Sequence, residues 1–343
     1  MRIIIPMAGM GKRMRPQTLT LPKPLFPVAG KPIVQRLVED LAGQFDDTID
    51  EIAYIIGDFG SEVEQMLHQI ASRVGAKKST IYYQEEPLGT AHAILCAGDS
   101  LEGEVIVAFA DTLFEANFSL DKTADGVIWV KQIDDPSSFG VVKLDENGYI
   151  VDFIEKPVTF VSDLAIIGIY FFRDASILKN ELQYLIDNDI KEKGEYQLTN
   201  ALENMKNKGM KFLPGKVLQW MDCGNKQVTI ETNAKVLELK KDKESLIDQN
   251  AVITNSKIIE PCYIGPGVEL IDSEIGPYVS LGKFVKVSNS KVYNSIIRDN
   301  TEVIDTHLQN SILGENVKIN SAGRLCEVNL GDYSEWKTLK NGH

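Results

Sequence analysis

A chain of 343 residues with 43% hydrophobic and 25% charged residues has the composition of a soluble globular protein and the length for two domains, each with its own core. A net charge of -13 disfavours nucleic acid and anionic membrane as partners. No segment approaches the roughly 18 consecutive apolar residues of a membrane helix, and basic, glycine-rich sequence follows the first apolar run without a signal-peptide cleavage site, so a cytoplasmic location is expected.

Arg2 to Ile5 reads as a strand, and PMAGMGKRMRPQTLTLPKPL follows it from Pro6 to Leu25. In an acidic chain, the cluster Lys12, Arg13, Arg15, Lys23 and Lys31 is a local exception, suited to a small anion. The loop is not a Walker A sequence: aligned on Gly11-Lys12, it has Pro6 in place of the first glycine and Arg13 in place of the Ser or Thr that holds magnesium. Nor is it a dinucleotide fingerprint, because Met14 stands where the third glycine would let helix and strand pack closely. Any metal must be held by residues elsewhere.

Ile33, Val34, Leu37, Val38 and Leu41 recur at helical spacing behind Gly30-Lys31-Pro32. The pattern then alternates: a strand at Glu51–Ile56, a helix at Glu62–Ala71, a strand at Thr80–Gln84, a helix at Thr90–Cys96, and a nearly all-apolar strand at Glu104–Ala110. Such alternation predicts an α/β domain with a mixed, mainly parallel sheet covered by helices on both faces, whose ligands gather at the carboxyl ends of the strands. The opening loop, Gln84 and Asp111 each follow such an end and are expected to converge on one cleft.

From Asp125 to Phe172 the chain turns to short β segments, at Val127–Val130, Val141–Leu144, Tyr149–Ile154 and Ile166–Phe172, expected to form a meander that walls the cleft. Helices are predicted at Ala175–Ile186 and Leu198–Asn207, and a final strand at Lys216–Met221. Leu239–Asp248, rich in Lys, Asp and Glu, reads as a solvated connector.

Beyond it the sequence is periodic. Ile258, Ile264 and Leu270 recur at a hexapeptide interval, as do Ile275, Leu281 and Val287 after a step one shorter, then Ile297 with Val303 and Leu313 with Ile319. An aliphatic residue every sixth position fits a short parallel β-helix, with small and turn-forming residues at the corners. So short a β-helix needs protection for its sheet faces, by packing on the rest of the chain or on another subunit. The expected organisation is therefore a first domain over 1–238, a linker over 239–250, a β-helix over 251–330 and a polar tail over 331–343. Four scattered cysteines, Cys96, Cys223, Cys262 and Cys326, form no CxxC pair and are expected to be reduced, mostly buried thiols.

The opening stretch resembles the signature of the sugar-1-phosphate nucleotidyltransferases, typically GGxGTRLxPxTxxxPKPLxPVxGKP, with Gly9, Gly11, Arg13, Pro16, Thr18, Pro22 to Leu25, Pro27, Val28 and Gly30 to Pro32 in register. It departs at Met10, often glycine in the family, and at Lys12, commonly Thr or Ser. Further matches follow in order: Gln84 to Ala91, Ala110 to Phe114, Glu155-Lys156-Pro157, Ile167 to Tyr170, Glu195 to Thr199 and Trp220 to Gly224. The hexapeptide repeats resemble the left-handed β-helix that many members carry.

This resemblance implies attack by a sugar-1-phosphate oxygen on the α-phosphorus of a nucleoside triphosphate, with pyrophosphate as leaving group. Such a transfer relies on positioning and charge neutralisation more than on covalent help. By the same resemblance Ala8, Gly9, Met10, Gly11 and Lys12 form the nucleotide's phosphate loop, and Gln84, Pro87, Gly89 and Thr90 line its base. Arg13 is carried over to the departing pyrophosphate, Lys23 to the phosphates near the reacting centre, and Lys156 to the sugar phosphate. Glu155, Gly168, Tyr170 and Thr199 match the substrate wall, and Asp111 and Asp222 match the pair that holds Mg2+. The base-side motif looks closest to the thymidylyl and uridylyl branches, with dTTP or UTP and glucose-1-phosphate as expected substrates and a homo-oligomer as the expected assembly. His92 is expected only to pack or face solvent. Alternatives are transfer from GTP to mannose-1-phosphate, a non-catalytic scaffold, and a bifunctional protein with sugar acetyl transfer on the β-helix, for which His307 is the candidate base.

Overall fold

The computed structural model describes residues 1–45, 48–116 and 123–338; Leu339 and the rest of the tail, to His343, lie outside the described residues. By internal contacts the chain forms two compact units, Met1–Gly9 with Val34–Trp220, and Met10–Ile33 with Met221–His343. The basic signature stretch therefore belongs to the unit that contains the hexapeptide repeats, although it is distant from them in sequence.

The first unit is built on a nine-stranded sheet. Its strands are β1 (Arg2–Pro6), β2 (Glu51–Ile56), β3 (Lys78–Tyr83), β4 (Val105–Ala108), β5 (Gly126–Gln132), β6 (Gly140–Leu144), β7 (Ile150–Glu155), β8 (Leu164–Phe172) and β9 (Phe212–Lys216). The order is β7-β6-β8-β4-β1-β2-β3, with β5 beside β8 and β9 beside β5. Pairings of β4, β1, β2 and β3 are parallel. Ile4, Ala53, Ile55, Val105 and Val107 bury one face in a core shared with helices α3 (Thr90–Leu95), α4 (Ala175–Asp187) and α5 (Leu198–Asn207). Ile3, Ile5, Ile52 and Tyr54, pointing the other way, are equally buried. Continuous apolar runs in these strands follow from this double burial.

The segments after Asp125 do not form a separate meander. β8 runs antiparallel to β4 through Ile169–Phe172, to β5 along both of its halves, and to β6 at Ala165. A bulge between Ile166 and Tyr170 shifts the register where the neighbouring strand changes. Gly168 sits in the bulge at φ 88° and its carbonyl accepts a hydrogen bond from Phe109 N–H at 3.0 Å. Glycine is needed there for the dihedral, because the nearest atom to an added Cβ is an ordinary 3.5 Å away. The predicted strand at Lys216–Met221 is two strands, β9 and Gln219–Asp222. Leu-Pro-Gly in β9 reads as a turn, yet Pro214 is accommodated because β9 pairs only with β5 and lies at a sheet edge.

In the second unit, three parallel sheets of six, five and five strands stack as expected for a left-handed β-helix. Successive strands lie beside each other 16 to 18 residues apart, as in Ser280–Ile296, Val252–Glu269 and His307–Leu325. Interior columns such as Ile264, Leu281, Ile297 and Leu313, or Leu270, Val287, Val303 and Ile319, are almost completely buried. The shortened steps in the periodicity contain Asp272, Asn289, Asn294 and Asp305, each with φ between 41° and 48°. Asn and Asp tolerate this left-handed conformation better than other side chains, which lets a corner close in fewer residues. Beside the corners, hydroxyls link the coils: Ser273 Oγ accepts from Ser290 N–H, Ser290 Oγ from Thr306 N–H, and Thr306 Oγ1 from Ser321 N–H, at 3.0 to 3.2 Å.

Ahead of the connector lies a helix that the sequence reading missed, and of Leu239–Asp248 itself only Leu239 and Lys240 are helical. α6 (Lys226–Lys240) is capped by Asn225, whose side chain accepts from Val228 N–H at 3.2 Å. Its buried stripe includes Thr229, Thr232 and Asn233 beside Ile230, Val236 and Leu237, so hydropathy alone does not reveal it. Asn233 is fully buried; its Oδ1 accepts from Ala29 N–H at 2.9 Å and from Ser280 Oγ at 2.7 Å, and its Nδ2 donates to Tyr278 O at 3.4 Å. Gln17, also buried, donates to Asn329 Oδ1 at 2.9 Å and Leu330 O at 2.7 Å. The strands Val279–Leu281, Ile296–Ile297 and Ile312–Leu313 are buried throughout. One sheet of the β-helix is thus covered by the signature stretch and α6, which meets the need for protection within the chain.

None of the four cysteines is in a disulfide, and burial pushes the Cys262 thiol up to about 11. Replacing Asn233 with Ala leaves a buried N–H, a hydroxyl and a carbonyl short of partners, and is expected to cost about 3 kcal/mol in urea unfolding. Asn233→Ser, which keeps one polar atom, is expected to lose less.

Candidate active site

The signature stretch folds back on itself before it meets anything else. Gly11, at φ 65°, precedes the one-turn helix Lys12–Met14, and its carbonyl accepts from Thr18 Oγ1 at 2.8 Å. Met14 is buried and its sulfur lies 2.9 Å from Thr229 Oγ1, whereas Lys12, Arg13 and Arg15 are exposed. A Cβ on Gly11 would stand 2.5 Å from Lys23 Cβ, so the Lys23 stem lies directly against the glycine; Lys23 itself is only 6% exposed. Ala29 N–H continues into the Asn233 bonds, and Lys31 pairs with Glu244 at 3.3 Å. Lys31 is therefore a packing cation, while Arg13 and Lys12 present their charge outward.

Asp222 follows from the same scaffold. Its carbonyl accepts from Thr232 Oγ1 of α6 at 2.6 Å. A Cβ built on Gly224 would stand 2.6 Å from Asp222 Oδ2 and 3.2 Å from Arg13 Nη2. The carboxylate and the guanidinium thus flank the bare Cα of Gly224, and any larger residue there displaces one of them. Gly224 is a site residue missed in the sequence reading, although the Asp-Cys-Gly motif contained it.

In the first unit, three motifs meet. Gly89, at φ 120°, lies against the backbone of Tyr196: an added Cβ would be 2.4 Å from Tyr196 O and 2.7 Å from its N. Tyr196 N–H donates to Leu88 O at 2.8 Å, Ala91 N–H to Tyr196 O at 2.9 Å, and Leu198 N–H to Thr90 Oγ1 at 2.9 Å. The Pro87–Ala91 loop and the Glu195–Thr199 segment are therefore one hydrogen-bonded body. Pro87 itself is exposed at its rim. Gln84, just beyond β3, has its Nε2 3.3 Å from Gly89 O and 3.2 Å from His92 Nδ1. His92 thus touches a predicted site residue, contrary to the expectation that it only packs or faces solvent.

Glu155 ends β7 and is held from two sides, by Thr199 Oγ1 at 3.4 Å and by Lys156 Nζ at 3.4 Å. Lys156 takes φ 43°, its N–H bound to Phe139 O at 3.1 Å, and its side chain stays about half exposed. A Cβ on Gly140 would approach Glu155 Oε2 to 3.2 Å and Thr199 Cγ2 to 3.3 Å, so Gly140 belongs to this wall; no motif marked it. Tyr170 is buried, edge-on to Phe109 and stacked on Phe172. Burial first, then the carboxylates of Glu155 and Asp111, push its phenol well above the usual range. The Trp220 indole packs edge-on against Phe139 at 4.7 Å, with its buried Nε1 lacking a hydrogen-bond partner among the described residues.

Among the described residues, no group of three or more His, Cys, Asp or Glu side chains forms a metal cage. Asp111 stands in the first unit and Asp222 in the second. As hard oxygen donors, these carboxylates suit magnesium, which takes few protein ligands and completes its shell with water and phosphate oxygens.

A nucleotidyl transferase family model matches residues 2–238, and the chain belongs to that family. Over its full length it is similar to particular members. A glucose-1-phosphate thymidylyltransferase of Streptomyces antibioticus is 31% identical, covering 98% of this chain and 99% of the relative, and that of Streptomyces griseus is 30% identical over 97% and 98%. A bifunctional protein GlmU of Methanocaldococcus jannaschii is 32% identical over 92% of this chain and 78% of its own. Among solved structures, a nucleoside-diphosphate-sugar pyrophosphorylase from Vibrio cholerae RC9 superposes with a TM-score of 0.59 at 21% identity, covering 67% of this chain and 99% of that one. A UDP-glucose pyrophosphorylase in complex with UDP-glucose gives 0.56 at 22% identity, over 69% and 98%; both show the fold.

Gly224→Ala moves Asp222 or Arg13 by about 1 Å and is expected to lower kcat/KM about 100-fold with little change in Tm. Steady-state kinetics beside a thermal melt checks both.

Proposed function

We propose that the enzyme transfers a nucleoside monophosphate from dTTP or UTP to glucose-1-phosphate, releasing pyrophosphate. One observation carries this reading: a glycine-bearing loop with exposed cations, Arg13 beside Asp222 across Gly224, in a chain alike end to end to glucose-1-phosphate thymidylyltransferases. The sugar phosphate oxygen forms a bond to the α-phosphorus as the bond to the β-phosphate oxygen breaks in line. Arg13 neutralises the leaving pyrophosphate, Lys23 the phosphates at the reacting centre, and Lys156 the sugar phosphate. Gly9, Gly11 and the neighbouring Ala8, Met10 and Lys12 offer backbone and charge to the triphosphate. Glu155, set by Thr199 and Lys156, hydrogen-bonds the sugar. Asp111 and Asp222 would hold Mg2+, which supplies charge neutralisation and polarises the α-phosphorus when bound.

A second reading adds sugar acetyl transfer on the β-helix. It is favoured by an open groove of about 500 Å³ lined by Asn289, Ser290, Lys291 and His307 among others, in a chain with relatives described as bifunctional. Thiol release from acetyl-coenzyme A with an amino-sugar phosphate tests it. We place the enzyme in the cytoplasm, where no helix of the described residues is long and apolar enough to cross a membrane. A homo-oligomer is proposed because Val252–Thr254 and Glu335–Lys337 leave the six-stranded sheet with two open edges; light scattering in solution gives the number of subunits.

The deciding assay is magnesium-dependent pyrophosphate release, crossing dTTP, UTP, GTP, CTP and ATP with glucose-, mannose- and glucosamine-1-phosphate. The expected optimum is dTTP or UTP with glucose-1-phosphate; GTP with mannose-1-phosphate as optimum overturns the substrate assignment. Asp111→Asn is expected to lower turnover at least about 100-fold while nucleotide still binds by calorimetry.

A further inference from the structure

The Gln84 amide is more constrained than a base-reading side chain needs to be. Gly89 O can only accept, so the end of the amide that faces it at 3.3 Å is the NH2. The same nitrogen lies 3.2 Å from His92 Nδ1. That ring nitrogen therefore accepts, and the imidazole proton sits on Nε2. Both N–H groups of the amide are thereby committed to the protein. Its carbonyl oxygen has no hydrogen-bond partner among the described residues and is the hydrogen-bonding atom left for a ligand.

His92 is positioned to do this. It lies on α3, one turn after Gly89, and α3 is seated by Ala91 N–H on Tyr196 O at 2.9 Å and by Ala93 N–H on Gly89 O at 3.0 Å. Gly89 O receives both Ala93 N–H and Gln84 Nε2, so helix, loop and amide share one acceptor. Without the imidazole, one amide N–H loses its partner and the barrier to turning the amide over falls to the single long bond to Gly89 O.

We propose that His92 is a positioning residue for base selection: by holding the Gln84 amide it presents an acceptor alone, which selects an imide base. Uracil and thymine carry a proton on N3 and donate to that oxygen. Cytosine carries a lone pair on N3 and sets it against the oxygen. A site built around a buried-side hydrogen bond rejects the mismatched base more strongly than an apolar pocket rejects a methyl. This inference rests on the pyrimidine reading of the site and adds to it a means of excluding the amino-pyrimidine.

The test compares His92→Leu, which removes the acceptor, with His92→Asn, which returns an amide oxygen at similar reach. Initial rates are measured with dTTP, UTP and CTP at saturating sugar phosphate, alongside thermal melts of each variant. Expected for His92→Leu is a KM for dTTP or UTP raised about tenfold, a kcat within about twofold, and a preference over CTP reduced about tenfold. His92→Asn is expected to recover most of the preference. An unchanged preference in His92→Leu overturns the inference, as does an equal fall in kcat for every nucleotide that Asn fails to rescue, since that marks a merely structural role. If the wild-type enzyme itself favours GTP or ATP, the pyrimidine reading fails and the inference falls with it; a wild-type preference for dTTP or UTP with an indifferent His92→Leu overturns the positioning role alone.

Discussion

A single buried amide joins the most distant parts of the second unit. Asn233, on α6, accepts from the signature stretch at Ala29 and from the β-helix at Ser280, and donates back to the β-helix at Tyr278. Three polar groups from three segments thereby depend on one another's geometry. Gln17 makes a second such junction farther along, on Asn329 and Leu330, and Thr20 bonds Asp332 at 2.6 Å. The β-helix is therefore a rigid mount for the basic loop. Its regular coils set where Gly11, Arg13 and Lys23 stand, so a short repeat domain positions the signature stretch whether or not it has chemistry of its own.

The first unit achieves comparable rigidity through glycine. Gly89 admits the backbone of Tyr196, Gly168 lets β8 change its neighbour, and Gly140 leaves room for Glu155 and Thr199. At Gly89 and Gly140 a side chain is omitted so that a backbone or a carboxylate can approach, whereas at Gly168 it is the dihedral that requires glycine. The Pro87–Ala91 loop and the Glu195–Thr199 segment are consequently hydrogen-bonded to each other rather than being independent arms. Side chains on such a frame have little freedom left to lose on binding a ligand, which is how positioning contributes to a transfer that needs little covalent help.

Charge is used sparingly in the same spirit. The chain is strongly acidic, yet Lys12, Arg13 and Arg15 cluster on one exposed turn and Lys23 is sunk beside it. A buried ammonium with its stem against Gly11 is costly to place and is not interchangeable with a surface lysine. Lys31, from the same motif, instead pairs with Glu244 and fastens the short antiparallel pair Pro27–Val28 and Lys31–Pro32. Neighbouring cations of one signature thus differ: some stand exposed and one is paired into the scaffold.

Local pattern in the sequence was enough to read the parallel strands, the helices that follow them and the hexapeptide repeat, because double burial and stacked coils each impose their own period. The order of the motifs likewise carried the family. It did not carry α6, whose inward face is threonine and asparagine satisfied by partners far along the chain, nor the entry of β8 into the central sheet, which depends on a bulge at one glycine. Gly140 and Gly224 escaped notice, and His92 was read as merely packing or facing solvent, for a related reason: an absent Cβ or a shared proton has meaning only against the atoms it faces. Residue types and spacing determined which chemistry the chain holds; tertiary contacts alone decided which side chains are fixed, and by what, because hydrogen bonds and close approaches are properties of pairs distant in sequence.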